Sequence, residues 1–315
     1  MKKLQLFIIV STCIVLVFNT KCFSQTEVVQ ENKEVNYIPY FIEVQKAKRL
    51  YDKGKLKQAY MKVDSLFNFF EPKESLFMYE SSMYCELSDT LKIYNKSRLK
   101  KLITLITGKY GKNLSDYDRF GKKWKRIILK AGLTEKEIKS IYNNLQKNIN
   151  TAIRDTIGVM YERDQWARET QERIDTKLDS IDRLNEPLLI DIITKYGYPK
   201  ETLVGAKLYE NPARDGNIQV LLLHMQPYVK IKFIEPILKQ ELKNGDVSPW
   251  IYATILDYII KINQVDSPFP YYGSYYTNVS TDDIEEINKN RLSIGMLGIK
   301  REALIISRKT YTRKN

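Results

Sequence analysis

TEKEIKSIYNNLQKNINTAIRDTIGVM, residues 134–160, is the stretch that decides the fold class. Thr134 followed three residues later by Glu137 is a capping box. The threonine hydroxyl accepts the Glu137 N–H, and the glutamate returns to the Thr134 N–H. Behind it, Ile138, Ile141, Leu145, Ile149, Ile153, Ile157 and Met160 recur at three- and four-residue steps. That period lays one apolar stripe along a helix. The pattern predicts a long helix running past Asp164 towards Leu184, with Gly158 as its weak point. Elsewhere no apolar–polar alternation is long enough to build a sheet. The expected fold is therefore all-α: an N-terminal helical-hairpin, repeat-like region, a long connecting helix and a compact C-terminal helical domain.

Towards the N-terminus, the run Ala47-x-x-Leu50-Tyr51-x-x-Gly54-Lys55-Leu56-x-x-Ala59-Tyr60-x-x-Val63, closing at Pro72, resembles one tetratricopeptide unit. Small residues at Ala47 and Ala59 let two helices approach, and Gly54 turns the chain between them. A single unit cannot bury its own face, so it must pack on its neighbours. Residues 37–107 are read as a small helical domain and 134–315 as the long helix plus the C-terminal domain. Between them, 108–133 reads as a basic linker or helix that opens with Gly108 and Gly111.

Basic residues concentrate over 96–130, with Tyr110, Tyr117, Phe120 and Trp124 interleaved. Such chemistry suits an acidic glycan or another polyanion, because ammonium groups meet anions while aromatic rings stack. It equally suits lysines on the wet faces of helices whose aromatics turn inward.

C-terminal to the long helix, short helices are well punctuated. Pro187 is expected to start one and Gly197 to end it. Asn211-Pro212 and Ser248-Pro249 read as an N-cap followed by proline at the first helical position, Gly245 as a stop, and Ser280 or Thr281 as a further cap. Asp175, Asp179 and Asp182 share a face that reads as solvated.

The N-terminus reads as a secretory signal peptide over 1–24. Lys2 and Lys3 precede an apolar run from Leu4 to Phe18, and Cys22-Phe23-Ser24 offers small residues for cleavage. Residues 25–36 form a polar leader. The expected location is periplasmic or extracellular, with a lipid anchor as the lesser alternative, since neither Cys13 nor Cys22 sits in a proper lipobox. No later stretch is apolar enough for a transmembrane segment. Cleavage would leave Cys85 as the lone cysteine, so no intrachain disulfide is expected. The whole chain carries a formal charge of +13, which favours acidic partners or simply solubility. Partners are otherwise unspecified, although the N-terminal helices could meet another protein.

Standard catalytic signatures are missing: no phosphate-binding glycine loop, no dinucleotide fingerprint, no H-E-x-x-H and no G-x-S-x-G. His224 is the only histidine, which makes a zinc site implausible, and no cofactor is expected. What stands out is polar residues inside apolar helical frames. Asp164-Gln165-x-x-Arg168 places Asp164 and Arg168 one helical turn apart. His224 ends the run Val220–Leu223, Asp257 lies within Ile255–Ile260, and Arg291 precedes Leu292 and Ile294. Such groups must find partners when buried.

The ordered set Asp164-Gln165-x-x-Arg168, Asn185, Gly197-Tyr198-Pro199, Val204-Gly205, Leu223-His224, Leu256-Asp257-Tyr258, Tyr272-Gly273-Ser274-Tyr275 and Arg291-x-x-x-Gly295 resembles an uncharacterised group of bacterial helical domains. That group's pattern is D-Q-x-x-R, Asn, G-W-P, V-G, Q-H, D-R, Y-G-T-Q and R-x-x-x-G. The likeness covers about residues 155–300. It implies an all-helical domain and brings no reaction with it. Leu223, Tyr258 and Tyr275 replace polar residues of the pattern, which implies a drier and more aromatic site here.

Two readings stand side by side. In the first, Asp164, Arg168, His224, Asp257 and Arg291 form one buried network that fixes helix packing, and the protein is a non-catalytic interaction or ligand-binding module. In the second, His224 is a general base oriented by Asp164 or Asp257. Arg168 and Arg291 would then hold an anionic group, and Gln165, Tyr272 and Tyr275 would line the ligand site.

Overall fold

A computed structural model of the chain describes residues 35–73, 80–116, 120–169, 175–205, 218–263, 269–274 and 283–300. The expected signal peptide, nearly all of the leader, Tyr117, Asn211-Pro212, Tyr275, Ser280 and Thr281 lie outside the described residues, as do the side chains of Asp175 and Asp179. Every regular element among the described residues is a helix, and residues 36–315 form one compact unit.

Helices α1 (Ile38–Asp52) and α2 (Leu56–Leu66) form the expected hairpin. Gly54 turns between them at φ +72°, while Ala47 and Ala59 are fully buried. Helices α3 (Glu80–Leu91) and α4 (Lys96–Tyr110) follow. Asn95 caps α4 by accepting the Arg98 N–H at 3.0 Å. The linker expected from Gly108 therefore begins later, because α4 runs on through Gly108 to Tyr110. After α5 (Lys123–Lys130), the capping box opens α6 (Glu135–Asn148). The Thr134 N–H donates to Glu137 Oε2 at 2.7 Å and the Glu137 N–H to Thr134 Oγ1 at 3.2 Å.

The single long helix expected from Thr134 is divided. Helix α6 stops at Asn148, α7 covers Thr151–Glu169 and α8 covers Asp175–Tyr196. The break falls at Ile149–Asn150 rather than at Gly158. Ile149 is extended, and the Asn150 side chain accepts the Ile153 N–H at 3.1 Å as the new N-cap. The Asn150 N–H meanwhile donates to Leu203 O at 2.9 Å, at the end of the short α9 (Glu201–Val204). The apolar stripe survives the bend: Ile138, Leu145, Ile149, Ile153, Ile157 and Met160 are all buried.

Pro187 does not start a helix but lies inside α8. Asn185 Nδ2 donates to Met160 O at 3.1 Å, and Leu189, Ile192 and Ile193 are buried. Packing on α7 thus carries the helix through a residue that would end it in isolation. Helix α10 (Ile218–His224) and the short α11 (Pro227–Val229) lead to a π-helical turn, Lys230–Ile234, and then to α12 (Glu235–Asn244). Pro236 accounts for the wide turn, because its ring has no N–H and would clash with the carbonyl four residues earlier. The Gly245 stop and the Ser248-Pro249 start of α13 (Pro249–Asn263) match expectation, with Ser248 Oγ accepting the Ile251 N–H at 3.3 Å. Helix α14 (Ile284–Ser293) is the last described helix.

The expected boundaries at 107/108 and 133/134 do not divide the core, since one apolar cluster reaches from Tyr37 to Met296. Helix α1 is stitched to segments far along the sequence. Tyr37 N–H donates to Lys243 O at 2.8 Å, Arg49 Nη2 to Gly298 O at 3.1 Å, and the Leu297 N–H to Gln45 Oε1 at 3.1 Å. Of the described aromatics in the basic segment, Tyr110 and Phe120 are buried and Trp124 is partly buried against the core. Lys96, Lys100, Lys101, Lys122 and Lys123 remain exposed, whereas Lys109 pairs with Glu71 and Arg126 with Asp89.

Candidate functional site

The five polar residues expected to converge form two networks rather than one. The first joins α7, α8 and α10. Asp164 is 1% exposed and carries the traffic. Its Oδ1 accepts from His224 Nδ1 at 2.8 Å and from Arg168 Nη2 at 3.2 Å, and its Oδ2 from Gln165 Nε2 at 2.7 Å. Arg168 also donates to Asp182 Oδ1 at 2.9 Å. Burial alone would raise the Asp164 carboxyl, but the His224 and Arg168 contacts outweigh it and hold the group below the usual carboxylate range. Asp182 goes the other way. Burial raises it more than Arg168 and His224 lower it.

The second network joins α13 to α14. Asp257 is fully buried. It accepts the Tyr272 N–H at 2.9 Å, and the Ser274 N–H and hydroxyl at 2.7 Å each. Arg291 approaches the same strand of backbone from the other side, donating to Tyr272 O at 3.0 Å and to Leu297 O at 2.9 Å. Burial lifts the Asp257 carboxyl above its ordinary value, with the three hydrogen bonds and Arg291 opposing. The two arginines expected to hold one anionic group stand in separate networks. Arg168 lies between two carboxylates, and Arg291 is 6% exposed with two backbone carbonyls on its guanidinium. Asp257 does not orient His224; it orders the segment carrying Tyr272. Tyr272 itself is buried, with its ring 6.0 Å from that of Tyr252, so it does not line an open ligand site.

His224 lines a small pocket with Asp164, Asp182, Asn185, Glu186 and Leu221, which has room for about one water molecule. Nδ1 is committed to Asp164, and Nε2 is the ring nitrogen outside that bond. Two positions that depart from the resembled pattern lie here. The Tyr258 ring is 6.4 Å from the His224 ring, and Leu223 O accepts from Lys230 Nζ at 2.8 Å.

Sequence reasoning missed Asp182 and Lys230. Asp182 was assigned to a solvated face because α7 and α8 were read as one continuous helix. Folded back, α8 brings Asp182 to Arg168. Lys230 is 2% exposed, lies 4.9 Å from the centroid of the Tyr258 ring, and has its amine lowered by burial to about 8. Its signal was present: Lys230 heads the four-residue stripe Ile234, Leu238, Leu242. Comparison with protein-family models, curated proteins and solved structures finds no match to this chain.

Proposed function

We propose that the chain is an exported, non-catalytic helical binding module in which the Asp164 network is the joint that sets α7, α8 and α10. The observation that carries this reading is charge closure. Arg168 is shared by Asp164 and Asp182, His224 Nδ1 is held by Asp164, and the adjoining pocket accommodates about one water. A buried network of paired charges of this kind specifies one arrangement of helices. The resemblance to the uncharacterised helical group belongs to the same proposal. Its D-Q-x-x-R, L-H, L-D-Y and R-x-x-x-G segments supply members of both networks, which gives those motifs a packing role. The exposed lysines over 96–130 provide the surface on which we place a polyanionic partner.

The experiment is His224→Ala in the intact protein, followed by thermal melting and by incubation with chromogenic esters, phosphates and glycosides. A fall in melting temperature with no activity in either protein is the expected result. A second reading, acid–base chemistry, is favoured by the Asp164–His224 pair and by the Lys230 amine beside Tyr258. Hydrolysis by the wild type that disappears in His224→Ala, with the fold retained, would establish it in place of the first.

A further inference from the structure

Residues 92–130 hold 13 basic and 2 acidic residues, against 38 and 36 in the rest of the chain. The positive charge is thus concentrated in one segment rather than spread over the surface. Helix α5 gathers much of it. Ile127 and Ile128 turn inward and are buried, while Lys122–Arg126–Lys130 and Lys125–Leu129 run side by side in four-residue steps along the outer face. That face is clamped to the turn after α3. Buried Asp89 accepts from Arg126 Nε at 2.7 Å and from the Tyr94 hydroxyl at 2.8 Å, and Lys92 Nζ lies 3.8 Å from it. Lys130 Nζ lies 5.3 Å from the Tyr94 ring centroid, and the Lys96 side chain lies against Gly132, just past α5. Lys125 meets Glu135 at 3.4 Å. Lys96, Lys122, Lys123 and Lys130 are exposed and form no salt bridge among the described residues.

Two apolar side chains stand out amid this charge. Leu129 is 73% exposed and Ile93 39%. Ile93 sits in the turn that closes α3, where its N–H donates to Ser88 O at 3.0 Å and Lys92 takes φ +60°. This is the six-to-one bond of a Schellman turn, which commonly packs the residue in Ile93's place against an apolar one in Ser88's. Serine offers no such contact, and Ile93 faces outward. Ammonium groups around exposed apolar side chains suit a bilayer interface, where headgroup anions meet the charges and the apolar groups pass below them. A soluble glycan or nucleic acid would meet the lysines but give Leu129 no apolar medium. The four cations outside salt bridges are all lysines, point charges without the planar fork that reads one phosphate or sulfate geometry. They match a fluid array of anions.

We infer that the outer face of α5 docks on an anionic lipid bilayer, with Leu129 and Ile93 entering the interface. The inference rests on the polyanion surface proposed above and names its partner. The test is co-sedimentation of the intact protein with vesicles of phosphatidylglycerol and phosphatidylcholine in equal parts. Vesicles of phosphatidylcholine alone are the control, and a heparin column is run in parallel. Binding to the anionic vesicles is expected, with loss in about 1 M salt, where the screening length is about 3 Å. The triple variant Lys96→Gln, Lys122→Gln, Lys130→Gln should weaken it about a hundredfold, and Leu129→Gln about tenfold. The substituted side chains are all exposed, so melting temperatures should stay within about 2 °C of wild type. Equal binding to phosphatidylcholine vesicles overturns the inference. So does vesicle binding that Leu129→Gln or the lysine variant leaves unchanged. Retention on heparin without vesicle binding overturns it while leaving the polyanion surface in place, and retention by neither removes both.

Discussion

Gly205→Ala tests whether the break between α6 and α7 is built as described. Gly205 follows α9 at φ +87° and ψ 162°, a region of backbone space that essentially only glycine occupies. An added Cβ would also lie 2.8 Å from Ile149 Cδ1, and Ile149 is the buried residue at which α6 gives way to α7. The backbone conformation costs about 2 kcal/mol and the displaced isoleucine about 1 kcal/mol more. A loss of about 3 kcal/mol in a chain of this size lowers the melting temperature by about 6 °C. Gly54→Ala is the matched control. It too has positive φ, at +72°, but a Cβ there meets nothing within 4 Å. Its cost is the left-handed backbone alone, about 1 kcal/mol. Ile149→Val in the Gly205→Ala background removes the clashing methyl and should recover part of the difference. Thermal melting followed by far-ultraviolet circular dichroism reads all four proteins. If Gly205→Ala melts no lower than Gly54→Ala, the proposed contact between the α9 turn and the α6–α7 break is wrong.

Two pH profiles follow from buried charges on opposite sides of their ordinary values. Asp89, 3% exposed, accepts from Arg126 and from Tyr94, and the Arg126 contact leads in holding it near 2 against an ordinary 3.8. A carboxyl depressed in the fold stabilises it above the unfolded pKa, so that contribution fades as pH falls from 3.8 to about 2. Asp89→Asn should lower the urea midpoint at neutral pH and remove that part of the acid slope, and an unchanged slope would contradict the pairing. Lys230 works in reverse. Burial lowers its amine from 10.5 to about 8, with Asp182 and Glu186 opposing. The unfolded chain then binds more protons between those values, so stability should rise with pH across that window. Lys230→Met cannot titrate and should flatten that rise relative to wild type in parallel urea titrations.

Local signals gave the elements their ends and failed where distant packing decides. The Thr134–Glu137 box, the Gly54 turn and the Ser248-Pro249 start are short-range chemistry and are seen as expected. Continuity past Asn148 was misread because the apolar stripe keeps its period across the bend, and only the contact with Leu203 reveals the break. Pro187 misled in the opposite sense: neighbouring helices sustain a helix that local preference would end. At the site, Asp164, Arg168 and His224 were legible as polar residues in apolar frames, and they do meet. Asp257 and Arg291 carried the same signature but serve backbone groups around Tyr272. Spacing along the chain marks a buried polar residue without naming its partner.

The central claim, that Asp164 and His224 form an architectural joint, is tested most directly by a double-mutant cycle. Urea unfolding of wild type, Asp164→Ala, His224→Ala and the double variant at neutral pH gives their coupling. The buried contact at 2.8 Å predicts a coupling of about 1–2 kcal/mol, with each single variant clearly destabilised. Additive losses with no coupling, or a His224→Ala protein as stable as wild type, would contradict it.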